Sequence, residues 1–325
     1  MQKSFFALFI LYIFLTSSGE SAADTNFSYT SKLELPLASN VVAIDVRSEK
    51  LCLKGTLSGA RCIPYSDFFG PHGRLINFPD LLWLLGSSGL SGDEHLLVFG
   101  VSPEKRDFVA GLLFLAGQKK VTILKLPFRE LQKKVSHLVL GQKRSNIRTA
   151  VYLKIFRDEL IILRNELVSA LKNENLPELL DGRSEKEYWG ENIRTFRGGH
   201  IPDAQHLPAD KLRTLLNNDS DNVILFSSPI VYAHNTLESI AYFSLLRAGF
   251  RVNARVFIDG WVDWAMHPSL AVDSQTYLDK QSTNNKKNTE KDNFNKDNWL
   301  YPLAITLVGF VLIGWGVYSK YKKRT

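Results

Sequence analysis

The chain has 325 residues, 45% of them apolar, and a formal net charge of +7. That length and apolar fraction admit two folded domains of ordinary size plus additional segments. Part of the basic excess sits in a C-terminal tail, so the charge is no argument for nucleic-acid binding. Residues 1–23 read as a secretory signal peptide. An apolar run covers 5–16, and Ser21 and Ala23 stand at −3 and −1 of a cut before Asp24. The run is short for a membrane span, and an uncleaved N-terminal anchor is the alternative.

The body that follows contains an internal repeat. In the first copy a short apolar strand, Val41-Val42-Ala43-Ile44, leads into Asp45-Val46-Arg47-Ser48, a Gly-rich turn at 55–60, and Ile63-Pro64. In the second, Leu180-Asp181-Gly182-Arg183-Ser184 is followed by Gly199-His200-Ile201-Pro202-Asp203-Ala204 and Leu207-Pro208. The second copy is longer between its Asp and its Pro; the addition holds Glu187-Tyr188-Trp189-Gly190. Each copy continues with a strand, an apolar-periodic helix stopped by glycine, and a further strand. The strands are expected at 96–99 and 223–226, the helices at 108–116 before Gly117 and 237–248 before Gly249. Strands alternating with helices predict an α/β fold with parallel sheets flanked by helices.

The predicted segments are a first domain at 30–132, a basic linker at 133–164 and a second domain at 165–272. The linker alternates apolar and polar over 147–155, which predicts an extended arm or a solvated connector. Residues 273–298 are polar and cannot bury enough surface to fold, so they read as a flexible tether. Residues 299–318 hold no charge and are long enough to span a bilayer. Lys320, Lys322, Lys323 and Arg324 follow in the tail at 319–325, which the positive-inside rule places in the cytoplasm. The expected protein is thus single-pass, with its body periplasmic or otherwise extracytoplasmic. In a eukaryote the terminal lysines would also suit retrieval to the endoplasmic reticulum.

Taken with Arg197-Gly198-Gly199-His200 and Asp259-Gly260-Trp261-Val262-Asp263-Trp264, the order of motifs resembles the tandem rhodanese (thiosulfate sulfurtransferase) family. The resemblance implies two rhodanese-like domains. It also implies sulfur carried as a persulfide on one cysteine, in a loop between a strand and a helix of the second domain. Backbone N–H groups and a helix N-terminus would hold the anion there, and the nucleophile must be a thiolate. On the strand expected at 223–226, Ser227 takes the nucleophile position of the second copy and Gly100 that of the first. Neither is a cysteine. The loop 227–234 has no Arg, Lys or Gly, and Pro229 removes one N–H from it. Ser227 lies 22 residues before Gly249 (249 − 227), against 17 from Gly100 to Gly117 (117 − 100), so the second loop reads as enlarged.

Ser227, Ser228, Tyr232 and Lys105 are the candidate loop groups for an anion. Asp45, Arg47, Asp181, Arg183, His200, Trp261 and Trp264 are expected to be structural. Cys52 and Cys62 form a disulfide or remain two buried thiols. Ser227 lacks the surroundings of a serine nucleophile, the histidines are scattered away from metal-ligand spacings, and no cofactor is expected. These features predict a membrane-tethered, catalytically inactive binding or scaffold module with a protein partner outside the membrane. A sulfurtransferase of non-standard mechanism is the alternative.

Overall fold

The computed structural model describes residues 26–274, apart from residue 136 and residues 173–177 and 219–225. The signal peptide, the segment expected to span the membrane, its basic tail and nearly all of the tether lie outside the described residues. Among the described residues no helix is long and apolar enough to cross a membrane.

Two parallel five-stranded sheets follow one another along the chain. The first contains β1 (Phe27–Thr30), β2 (Val41–Asp45), β3 (Arg61–Cys62), β4 (His95–Phe99) and β5 (Lys120–Leu124), in the order β1-β5-β4-β2-β3. Its helices are α1 (Glu49–Lys54), α2 (Phe78–Ser87), α3 (Pro103–Leu115) and α4 (Phe128–Lys134). The second contains β6 (Ile161–Ile162), β7 (Leu179–Asp181), β8 (Gln205–His206), β9 (Ile230–Tyr232) and β10 (Arg255–Phe257), in the order β6-β10-β9-β7-β8. Its helices are α5 (Arg164–Ala170), α6 (Glu185–Tyr188), α7 (Ala209–Asn217), α8 (Thr236–Ser244) and α9 (Gly260–Ala265). The two orders are the same when each sheet is counted from its own first strand. Both sheets take their outer strand from outside the boundaries drawn on sequence: β1 begins before residue 30, and β6 precedes residue 165.

The central strands are short apolar runs because parallel strands covered by helices are buried on both faces. Leu96, Val98 and Phe99 in β4, and all of β9, are buried. The helix after each central strand has a side-chain cap: Ser102 accepts from the Lys105 N–H, and Asn235 from that of Glu238. Pro103 lets α3 start at its cap, earlier than residue 108, since a proline costs little in the first turn.

The two halves meet where α3 crosses α8. Gly111 makes the crossing close; a Cβ there would lie 2.1 Å from Ser244 Oγ. Ser244 Oγ is 2.8 Å from the Asp107 carbonyl oxygen, and Arg213 forms an ion pair with the Asp107 carboxylate. Phe27 stacks on Phe114 at 4.5 Å, and both rings approach Phe243 of α8. One hydrophobic core therefore runs through both sheets.

The connector between the sheets is an arm laid on the first domain. The N–H groups of Thr149 and Ala150 donate to the Gly86 carbonyl, and Arg157 N–H donates to that of Leu115. Tyr152 is buried and its hydroxyl donates to the Ala116 carbonyl, while Ile147, Val151, Leu153 and Ile155 face outward. The alternation does mark an extended segment, with most of its apolar side chains on the exposed face.

Candidate functional site

The register of the sheets establishes which residues are equivalent. In the first domain Asp45 of β2 pairs with Phe99 of β4, and Val46 N–H donates to the Phe99 carbonyl. In the second, Asp181 of β7 pairs with Tyr232 of β9, and Gly182 N–H donates to the Tyr232 carbonyl. Tyr232 thus corresponds to Phe99, and Ala233 to Gly100. The loop at the C-terminal end of the second central strand begins at Ala233.

This corrects the placement of the site at Ser227. The expected strand 223–226 falls largely outside the described residues, and the central place in the sheet is taken by Ile230–Tyr232. Ser227 and Ser228 precede β9, at the opposite end from the loop. Ser227 N–H donates to the Glu178 carboxylate and Ser228 Oγ to the Asn253 carbonyl. Tyr232 is fully buried, with its hydroxyl accepting from Ile201 N–H, so it faces the core. The apparent enlargement of the second loop also disappears. Ala233 to Gly249 is 16 residues (249 − 233), against 17 in the first copy (117 − 100).

Both loops are braced by a buried Asp-x-Arg turn. Arg47 and Arg183 each pair with their own aspartate, through Asp45 at 2.6 Å and Asp181 at 2.5 Å. The same guanidinium groups donate to the Gly55 and Gly199 carbonyls. Arg47 lies over the Phe128 ring and Arg183 over that of Trp261. The residue after each of those glycines, Thr56 or His200, forms an antiparallel bridge with chain returning from the end of its domain, at Val139 or Asp273. His200 stacks on Tyr188 at 3.7 Å, and its Nδ1 donates to the Tyr188 carbonyl. Burial holds this imidazole below its ordinary pKa. Trp264 Nε1 donates to the Ala271 carbonyl. These residues occupy the frame around the loop.

The first loop offers no room for a side chain at its key position, because a Cβ on Gly100 would stand 2.7 Å from Val46 Cγ2. Lys105, five residues on, lies over the Tyr65 ring with Nζ at 4.1 Å. In the second loop the equivalent residue is Glu238. Its carboxylate is held by Arg194 at 2.7 Å, and Arg194 also reaches Glu187 at 3.0 Å. Glu187 and Arg194 both belong to the stretch that lengthens the second copy. Glu187 Oε2 accepts from the Ser184 hydroxyl. His234 lies against this network, its buried Nδ1 3.5 Å from Glu187 Oε1 and without a hydrogen bond. Burial, reinforced by Arg194, keeps His234 below its ordinary pKa. Sequence reasoning missed Ala233, Glu187, Arg194, His234 and Glu238 as one cluster. The signal available was the repeat itself, aligned on Asp45 and Asp181.

A cleft of about 810 Å³ opens over the second loop. Asn235, Thr236 and Leu237 form one side; Asp259, Val262, Asp263 and Met266 border it, and residues 69 and 72–75 of the first domain close it. Asp263 Oδ1 pairs with Arg164 at 2.6 Å, while its Oδ2 is buried without a partner. Burial, and then the neighbouring Asp263, raise the Asp259 carboxyl. The cleft presents carboxylates, the side chains of Arg74 and His72, and apolar surface, and its loop has a methyl group where a nucleophile would stand. Cys52 and Cys62 are joined as a disulfide in the first domain, so this chain of two cysteines has no free thiol. Among the described residues no group of three or more His, Cys, Asp or Glu could hold a metal ion.

Residues 163–267 match the family profile of the rhodanese-like domain. The fold resembles that of a probable thiosulfate sulfurtransferase, with TM-score 0.54 and 23% identity over 73% of this chain and 99% of that one. It also resembles wild-type EanB, with TM-score 0.58 and 16% identity over 74% of this chain and 65% of that one. For YnjE the TM-score is 0.59 and the identity 18%, over 72% of this chain and 62% of that one. The match thus spans just under two thirds of EanB and YnjE. At these identities the likeness is one of fold. No curated protein matches the sequence. The two parallel sheets flanked by helices, in one repeated strand order, are consistent with two rhodanese-like domains.

Proposed function

We propose that this protein is a membrane-tethered, exported binding module built on two rhodanese-like domains, and that neither loop performs persulfide chemistry. The observation that carries this reading is Ala233 at the end of β9, in a chain whose two cysteines are bonded to each other. A thiolate is the form that attacks a sulfur donor, and a methyl group cannot supply one. Where the first loop has Lys105 the second has Glu238, paired with Arg194, so this position supplies no cation to a sulfur anion. The cleft over this loop is the docking place for a protein partner. Its occupant would meet Asp259 and Arg74 and cover Leu237 and Met266.

The full-length protein incubated with thiosulfate and cyanide is expected to form no thiocyanate. Turnover that survives Cys52→Ser with Cys62→Ser would overturn the reading and favour sulfur transfer by another mechanism. Ala233→Cys combined with Glu238→Arg is expected to restore a loop that takes up sulfane sulfur, visible as a persulfide mass on Cys at that position. Photo-crosslinking from residue 237 in native membranes is expected to capture a partner, and crosslinking from half-buried residue 105 is not. Carbonate-resistant membrane fractionation and protease protection test the anchor and the side on which the body lies.

A further inference from the structure

The first domain contains a second cavity, remote from the cleft, whose lining has a single sign of charge. It has a volume of about 560 Å³ and lies between the Gly-rich turn at 56–62, the end of α2 and the connector at 139–149. Arg61, Lys143 and Arg144 line it, and no Asp or Glu does. We propose that this cavity binds an oxyanion group, either a small dianion such as thiosulfate, sulfate or phosphate, or the phosphate head of a larger molecule. The proposal is independent of the reading of the second loop.

The cations arrive from two distant parts of the sequence and are held together by specific structure. The disulfide ties Cys62, next to Arg61, to α1. Thr56 and Val139 exchange N–H···O bonds of 2.8 and 3.0 Å, and Gly141 N–H donates to the Leu53 carbonyl. These contacts bring Lys143 and Arg144 over the turn that carries Arg61. Gly89, in a left-handed conformation, lies beside Arg61; a Cβ there would sit in ordinary contact, 3.5 Å from its guanidinium, and more tightly at 3.3 Å from Thr149 Oγ1.

The neutral groups also favour an acceptor-rich ligand. Ser145 Oγ accepts from Ile147 N–H, which leaves its O–H to donate, and Ser58 supplies another hydroxyl. The Ser87 and Ser88 hydroxyls donate to the Leu84 carbonyl and act as walls. Two carboxylates lie outside the lining: Asp67 at 3.6 Å from Arg144, and Glu49 at 4.0 Å from Lys143. Arg61 forms no ion pair with either. Lys143 and Arg144 each have a carboxylate on their outer side and Arg61 has none, so an oxyanion with several acceptors would supply the counter-charge that Arg61 lacks. The volume lies in the range of small-molecule sites and exceeds the needs of a bare inorganic ion, which leaves space for an organic portion.

The test is calorimetric titration of the full-length protein in detergent with thiosulfate, sulfate and phosphate, at an ionic strength held constant with chloride. Saturable binding is expected. Arg61→Gln is expected to weaken it about tenfold, the usual loss for a charge-assisted hydrogen bond. Arg61→Lys, which keeps the charge and loses the fork, should retain more affinity than Arg61→Gln. Lys143→Gln with Arg61→Gln should abolish binding, and Lys119→Gln, at an exposed lysine outside the lining, should leave it unchanged. Flotation with phosphatidylglycerol or phosphatidylcholine vesicles identifies the source. Binding of inorganic anions assigns a free ligand. Binding only to anionic vesicles, sensitive to Arg61→Gln, assigns a headgroup. Absence of both, or binding that the double variant leaves intact while its melting temperature matches wild type, overturns the proposal.

Discussion

The two loops that follow the central strands share a backbone frame and differ in nearly every side chain that faces outward. The first has Gly100, packed under Val46, and a lysine lying on Tyr65. The second has Ala233 and a glutamate held by an arginine from an insertion that the first domain lacks. The frame is the same because each Asp-x-Arg turn satisfies a carbonyl that would otherwise be buried without a partner. The exposed parts can diverge because a loop supported at both ends does not depend on its own side chains. The insertion has given the second domain a charged network beside its loop, and the disulfide and connector have given the first a cavity lined by three cations. The fold is repeated, and the surfaces offered to ligands differ: three cations in one cavity, charges of both signs in the other cleft.

The comparison is most sharply tested at the frame. Asp45→Ala and Asp181→Ala each leave a buried guanidinium unpaired, and each is expected to cost about 3–5 kcal/mol in denaturant unfolding. If one is severe and the other mild, the two turns are not equivalent. Removing the disulfide by Cys52→Ser with Cys62→Ser is expected to cost about 2–3 kcal/mol, since it closes a short loop. Reducing agent should lower the melting temperature of the wild type and not that of this variant. Gly100→Cys should destabilise by about 1–3 kcal/mol because its Cβ meets Val46 at 2.7 Å. Ala233→Cys, where a Cβ already exists, should be milder; equal losses would undo the argument that only the second loop retains room for a nucleophile.

Arg194→Ala is expected to cost about 1 kcal/mol or less, since this side chain is 41% exposed and its pairs are partly screened. Its clearer effect is on His234, whose pKa should rise once the cation is gone, as read by NMR titration of the ring. The smallest expected effect is a pH slope. His234 and His200 resist protonation in the folded protein because of burial. Their contribution to stability is present above about pH 6.5 and is lost as the pH falls from there through the depressed folded values. Unfolding measured between pH 8 and 5 should show this decline, and His234→Gln should flatten it.

Much of the fold was legible because its signals are local. Asp45-x-Arg47 and Asp181-x-Arg183, the glycine stops and the apolar strand runs report short-range requirements of turns, caps and buried strands. The loop itself was harder. The apolar run 223–226 reads as the strand and 227–234 as its loop, and only pairing with β7 gives the strand's place to the later run 230–232. Choosing the earlier one moved the site to Ser227 and made the loop look enlarged. Arg194, from the insertion, and Glu238 are 44 residues apart, and no local pattern links them.

By itself the sequence determined the repeat, the α/β class, the absence of a second thiol pair and the charge of the connector, since composition and periodicity act over a few residues at a time. Tertiary structure decided which residue ends the central strand, that Cys52 and Cys62 are joined, and that Arg61 lines one cavity with Lys143 and Arg144. Those outcomes depend on strand register and on long-range packing. A shift of register exchanges every neighbour of a strand while leaving its local pattern unchanged.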